Sequence, residues 1–130
     1  GMLGEFGEDG RRPMPWDAPR EAPLWDERIH DVYRGLIAAR TESVALRAGG
    51  LRWVYADDDV LIYLREHPEQ TALVHIARLA HDPIRLPLAA LAGIEGGRAA
   101  YGSLVRIEGD EVVLAASGPE VGVTTWTSPA

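Results

Sequence analysis

Two hydrophobic rhythms divide the chain. Over residues 26–40 the apolar positions Ile29, Val32, Tyr33, Leu36 and Ile37 fall at i, i+3, i+4, i+7 and i+8. That spacing gathers them on one face of an amphipathic helix, the face a folded protein buries. Asp26 is placed to cap the helix, and with Glu27 it sets negative charge at the positive end of the helix dipole. Arg40 lies on the same face at the C-terminal end. It either snorkels to meet the last carbonyls or forms a buried ion pair with a carboxylate from elsewhere.

From Leu51 onward the rhythm changes to two. Strands are predicted at Leu51–Tyr55, Val60–Arg65, Ala72–Ala77, Ile84–Leu88, Ala99–Leu104, Val112–Ala115 and Val121–Trp126. Turn signals separate them: Ala56-Asp57-Asp58-Asp59, His67-Pro68-Glu69-Gln70, His81-Asp82-Pro83, Gly96-Gly97, Glu108-Gly109-Asp110 and Gly118-Pro119. Short strands at close spacing with such turns predict a mainly β domain. The expected form is an antiparallel sandwich or barrel; as a β-sandwich it is of Greek-key type with about seven strands, thin-cored at this length.

Residues 1–25 follow neither rhythm. Gly4, Gly7 and Gly10 punctuate the start, and Pro13, Pro15, Pro19 and Pro23 exclude a helix. The segment reads as a long loop, and Trp16 and Trp25 give it apolar mass that lies against something.

Composition narrows the class. The 130 residues fit one domain, or a small domain with an appendage; 46% are apolar, 25% charged, and the formal net charge is −7. That balance is globular and argues against a nucleic-acid partner. All 13 basic residues are Arg, with no Lys or Asn, which reads as coding bias. No apolar run is long enough to span a bilayer, and no secretory leader is visible. Without cysteine there is no disulfide framework or thiolate chemistry. The expected protein is cytoplasmic, with neither membrane nor nucleic acid as partner.

Candidate chemistry is sparse. His30, His67, His75 and His81 lack metal-site spacing, and His75, on the strand face of Leu73, reads as a packed histidine. Asp57-Asp58-Asp59 lacks the spaced acids, central Gly and closing Glu of a calcium loop, and reads as a solvated hairpin tip. Gly49-Gly50 and Gly96-Gly97 lead into no phosphate-binding helix, and no serine sits in a nucleophile elbow. No metal or cofactor is expected.

One string has a familiar form. Gly7-Glu8-Asp9-Gly10-Arg11-Arg12-Pro13-Met14-Pro15-Trp16-Asp17 resembles the segment after the last barrel strand in the α-amylase superfamily, glycoside hydrolase family 13. It is similar to that of the neopullulanase, maltogenic amylase and α-glucosidase members, which often carry such a string. Tyr33-Arg34-Gly35-Leu36-Ile37-Ala38-Ala39-Arg40 resembles their last barrel helix, and Ala45-Leu46-Arg47-Ala48-Gly49-Gly50 the link to their C-terminal sandwich. Val121-Gly122-Val123-Thr124-Thr125-Trp126 resembles the closing strand, while Ala77 stands where relatives often carry Asn.

The resemblance implies a division into residues 1–50, the end of a catalytic barrel, and 51–130, a barrel-stabilising β-sandwich. Within the first part it implies a loop over 1–25, the last barrel helix over 26–40 and a link over 41–50. It also implies a parent enzyme acting on α-glucans or malto-oligosaccharides. The family's catalytic carboxylates lie upstream, so no catalytic residue is carried onto this chain. Retaining glycosidases need two carboxyls about 5–5.5 Å apart, and a complete barrel takes about 250 residues.

In the parent, Arg11, Arg12 and Asp17 would lie at the barrel mouth to bond sugar hydroxyls, with Trp16 stacking on a sugar face. Alternatively, the prolines lock the loop and its arginines meet barrel acids. A free-standing carbohydrate-binding or protein-interaction sandwich is the other reading. As a sugar binder it would use Trp16, Trp25, Trp53 and Trp126 as exposed, coplanar platforms. The strand pattern around Trp53 and Trp126 predicts burial instead. With its barrel missing, the face of Ile29, Val32, Tyr33, Leu36 and Ile37 is expected to pair two chains into a homodimer, together with part of residues 11–25.

Overall fold

The computed structural model describes residues 26–129. Helix α1 (Glu27–Glu42) begins where expected, because Asp26 Oδ1 accepts hydrogen bonds from the Arg28 and Ile29 amides at 3.0 and 3.4 Å. It runs two residues beyond the expected Arg40 before Ser43 stops it in extended geometry (φ −102°, ψ 116°). A second short helix, α2 (Val44–Ala48), follows where the sequence reads only as a link. Its signal is the Ser43 cap: Ser43 Oγ accepts from the Leu46 amide at 3.2 Å. The same hydroxyl donates to Gln70 Oε1 at 2.7 Å, and the Ala45 amide donates to that oxygen at 3.2 Å. α1 spans the division between two compact units, residues up to Ile37 and residues from Ala38 onward.

Gly49 closes α2. A Cβ there would sit 2.6 Å from the Ala45 carbonyl oxygen and 2.9 Å from the Glu66 amide nitrogen, so only glycine lets the chain turn this close to the sheet. The Gly49 carbonyl then accepts from Arg65 Nη2 at 2.6 Å.

The second unit is a two-sheet sandwich. One sheet orders β1 (Gly50–Ala56), β2 (Val60–His67), β3 (Gln70–Ala77), β8 (Glu120–Thr127) and β5 (Arg98–Tyr101); the other orders β4 (His81–Pro87), β7 (Glu111–Ala116) and β6 (Arg106–Glu108). All pairings are antiparallel. The chain crosses between sheets after β3, β4, β5 and β7, as the Greek-key class does. Val60, Ile62, Leu64 and Leu73 of the larger sheet meet Leu86, Val112 and Leu114 of the smaller one. Leu91, Ile94 and Trp126 close this core.

Among the described residues eight strands form where about seven are predicted. The extra one, β6, has three exposed residues beside the Glu108-Gly109-Asp110 turn, too short to show a period. β5 stops at Tyr101 and not Leu104, because Gly102 adopts φ +68° and ends the extended run. His81-Asp82-Pro83, expected as a turn, opens β4. A register shift between His81 and Ile84 and an edge position let Pro83 sit in a strand without costing a ladder bond.

β3 is buried continuously from Thr71 to His75 without alternating, since α2 lies against β2 and β3 on the face away from the core. Trp126 is 4% exposed, and its Nε1 donates to the Ala92 carbonyl at 2.9 Å. Trp53, also predicted buried, is 58% exposed. It sits on edge strand β1 and packs edge-on against Tyr63 with centroids 5.5 Å apart.

Candidate functional site

Between the sheets, the inner face of β3 and β8 leaves a cavity of about 180 Å³ against β7 and the segment leading into β6. Leu73, Val113 and Leu114 give it apolar walls, while His75, Arg106 and Glu120 give it charge and polarity. Thr124 lines it too, and its buried Oγ1 has no hydrogen-bond partner in the structure. Small-molecule pockets usually exceed about 300 Å³, so this space suits several waters at most.

One edge of this cavity carries an unusual contact. His75, 4% exposed on β3, points its Nε2 at His81 Nε2 across 2.9 Å. His81 Nδ1 lies 2.7 Å from the Asp82 carbonyl oxygen. A carbonyl only accepts, so His81 carries a proton on Nδ1, and in the neutral ring its Nε2 is the acceptor. In that neutral pair His75 donates from Nε2. Burial first, then the charge of His81, lowers the His75 pKa, and Glu120 opposes that shift. The strand position of His75 predicts its packing. Its partner, six residues on and across a sheet change, leaves no trace in local spacing.

The described carboxylates do not assemble a hydrolytic pair. Glu66 is held by Arg52 at 2.8 Å and Asp59 by Arg78 at 2.8 Å. Glu108 and Glu111 approach each other by sharing Arg85, at 2.9 and 3.0 Å, on an exposed surface. Arg85 ties up both carboxylates in ion pairs. Asp57 accepts from Tyr55 Oη at 2.7 Å and from the Asp59 and Val60 amides at 2.8 and 2.7 Å, holding the hairpin tip. A glycosidase's general acid needs a raised pKa. Asp26, Asp57 and Glu66 are all shifted down, chiefly by their bonds to Arg28, Tyr55 and Arg52 respectively.

Among the described residues, no group of three or more histidines and acids converges to hold a metal ion, and no helix is long and apolar enough to cross a membrane. Arg11, Arg12, Trp16 and Asp17, the expected sugar-contacting loop, lie outside the described residues, as does Trp25. Ile29, Val32, Tyr33 and Ile37 are exposed on α1, and Leu36 is half-buried. Arg40 donates to the Leu46 carbonyl at 2.6 Å, so it meets a carbonyl as the first of its two readings holds, though one from α2.

Known structures with this architecture decide what it is like. No family model matches the chain. An α-amylase from Geobacillus thermoleovorans, solved with acarbose, superposes with a TM-score of 0.73 at 22% identity, over 99% of this chain and 28% of its own. An α-amylase from Anoxybacillus gives 0.72 at 18% identity, over 98% and 27%. Cyclic α-maltosyl-(1→6)-maltose hydrolase from Arthrobacter globiformis gives 0.64 at 22% identity, over 98% and 24%. The structural neighbours of this chain are α-amylase-family enzymes. At these identities the likeness establishes the fold alone. The chain spans about a quarter of the length of the solved structures it matches.

Proposed function

We propose that this chain is the C-terminal portion of an α-amylase-superfamily glycosidase acting on α-glucans or malto-oligosaccharides. In this reading it supplies a structural sandwich and holds no catalytic centre of its own. The observation that carries it is the superposition of 98–99% of the chain on about a quarter of each of three such enzymes. Residues 1–50 then complete the barrel end, with Arg11, Arg12, Trp16 and Asp17 at its mouth, and residues 51–130 stabilise the barrel. The neopullulanase-like character rests on the Arg-Arg-Pro-Met-Pro-Trp-Asp string alone. A reducing, cytoplasmic setting fits a chain without cysteine. The purified chain is expected to leave maltose, pullulan and p-nitrophenyl glucosides unhydrolysed above background. Turnover that disappears when one Asp or Glu of this chain is replaced overturns the reading.

Taken alone, the chain is proposed to form a homodimer through α1, because Ile29, Val32 and Tyr33 present apolar surface to water. Light scattering after size-exclusion chromatography tests this. Twice the chain mass, reduced to one by Leu36→Asp, supports the dimer, and a monomer at tens of micromolar refutes it.

The exposure of Trp53 favours a second reading, a sugar-binding sandwich. Its ring lies 72° from that of Tyr63, however, and a shared flat platform needs coplanar rings. Titrating Trp fluorescence with malto-oligosaccharides separates the two, since the structural reading expects no saturable change.

A further inference from the structure

We propose that His75 and His81 form a proton-sensitive latch between the two sheets, closed while a single N–H lies between their rings and released when both rings are doubly protonated. His75 belongs to the five-stranded sheet, and His81 is the first residue of β4, an edge strand of the three-stranded one. Their rings meet edge to face, with centroids 5.1 Å apart at 88°. An Nε2-to-Nε2 distance of 2.9 Å has room for one hydrogen. In the neutral pair that hydrogen is His75's, because the Asp82 carbonyl fixes His81 as the Nδ1–H tautomer. A first added proton goes to His75 Nδ1, or to His81 Nε2 with His75 moving its own proton to Nδ1. Either way one N–H still lies between the rings. A second added proton points two N–H groups and two positive charges at each other, and the contact cannot survive.

Of the surroundings, Glu120 favours a proton on His75 and burial opposes it, and neither lifts the bar to the second proton. Glu120 of β8 and Arg106 of β6 share the cavity wall with His75, and Asp57 in the turn after β1 interacts with His81. Ile62 of β2 and Ala116 of β7, the register partners of the two histidines, bring no charge. In the unfolded chain both imidazoles titrate near the ordinary value of about 6.5. The folded chain accepts one proton fewer than the unfolded chain. The stabilisation is therefore complete above about pH 6.5 and is lost as the pH falls, by about tenfold in the folding equilibrium per pH unit for each proton excluded. Release comes first at β4, where the register shift between His81 and Ile84 already weakens the backbone ladder, and it opens the cavity that His75 lines.

Imidazole nitrogen NMR of the full chain from pH 8 to 4.5, with hydrogen exchange of residues 81–87, tests this. The expected result is His75 as the Nε2–H tautomer and His81 as Nδ1–H at pH 7.5. Protection of β4 relative to β2 then falls about tenfold per pH unit below 6.5. His81→Gln, whose amide oxygen still accepts from His75 but takes no proton, is expected to make that fall shallower, leaving only the part that burial of His75 sets. Equal slopes in His81→Gln and the parent chain overturn the latch. So do two rings that each titrate fully while β4 stays protected. Should His81→Gln fail to fold, the titration of the unaltered chain decides alone.

Discussion

Helix α1 and the β2–β3 hairpin carry equally clear apolar patterns and meet opposite fates. Ile62 and Leu73 of the hairpin are 0% and 1% exposed, whereas Tyr33 on the helix is 65% exposed. A periodic stripe states that a face is built for burial; it does not say what will cover it. For the hairpin the cover is in the same chain, since the smaller sheet brings Leu86, Val112 and Leu114 onto it. For the helical stripe no such cover lies among the described residues, since Ile29, Val32 and Tyr33 all stay exposed.

The sharpest way to break this contrast is to truncate one residue from each region. Ile62→Ala is expected to cost about 2–5 kcal/mol, the transfer energy of the lost atoms plus the cavity left among Leu64, Leu73 and Val112. Tyr33→Ala is expected to stay within about 0.5 kcal/mol in the isolated monomer, as surface substitutions do. Urea unfolding followed by circular dichroism measures both. A comparable cost for Tyr33→Ala at a concentration where the chain is dimeric, and none on dilution, would show that a second copy covers the stripe.

A smaller effect separates the two faces of the sandwich itself. Trp126→Phe removes the donor to the Ala92 carbonyl, a bond worth about 0.5–1.5 kcal/mol. Trp53→Phe, on the exposed edge strand, is expected to fall below about 0.5 kcal/mol. If Trp53→Phe proves the costlier of the two, the edge aromatic is covered in solution and the division into inner and outer faces is wrong.

These contrasts show where the sequence speaks and where it is silent. The helix start, the sandwich and seven strand cores are legible because cap residues, turn residues and period two are local signals. α2 is missed because five residues do not complete two turns of a periodic pattern, so only the Ser43 cap betrays it. β6 is missed for the same reason of length. Trp53 is misjudged because alternation gives two faces without saying which is inside, and at an edge strand both are partly wet. The His75–His81 contact is invisible because a sheet crossing brings the rings together. No interval along the chain encodes that meeting.

The smallest effect concerns charge on the same edge. Arg52 and Glu66 pair across β1 and β2 at 2.8 Å, both about half exposed, and the guanidinium holds the Glu66 carboxyl below its ordinary value. A carboxylate whose pKa is lowered by folding stabilises the fold above its ordinary pKa and loses that contribution as the pH falls through the lowered one. This limb therefore lies below about pH 4.3, well under the histidine limb near 6.5. Exposed pairs contribute about 0.2–1 kcal/mol and are screened by salt. Arg52→Gln should remove no more than that at low ionic strength and nothing measurable at about 1 M salt. It should shift only the lower limb of a stability–pH curve. A change in the upper limb would mean that the two sheets are coupled electrostatically through the hairpin. Acid loss of β4 could then no longer be assigned to the histidines alone.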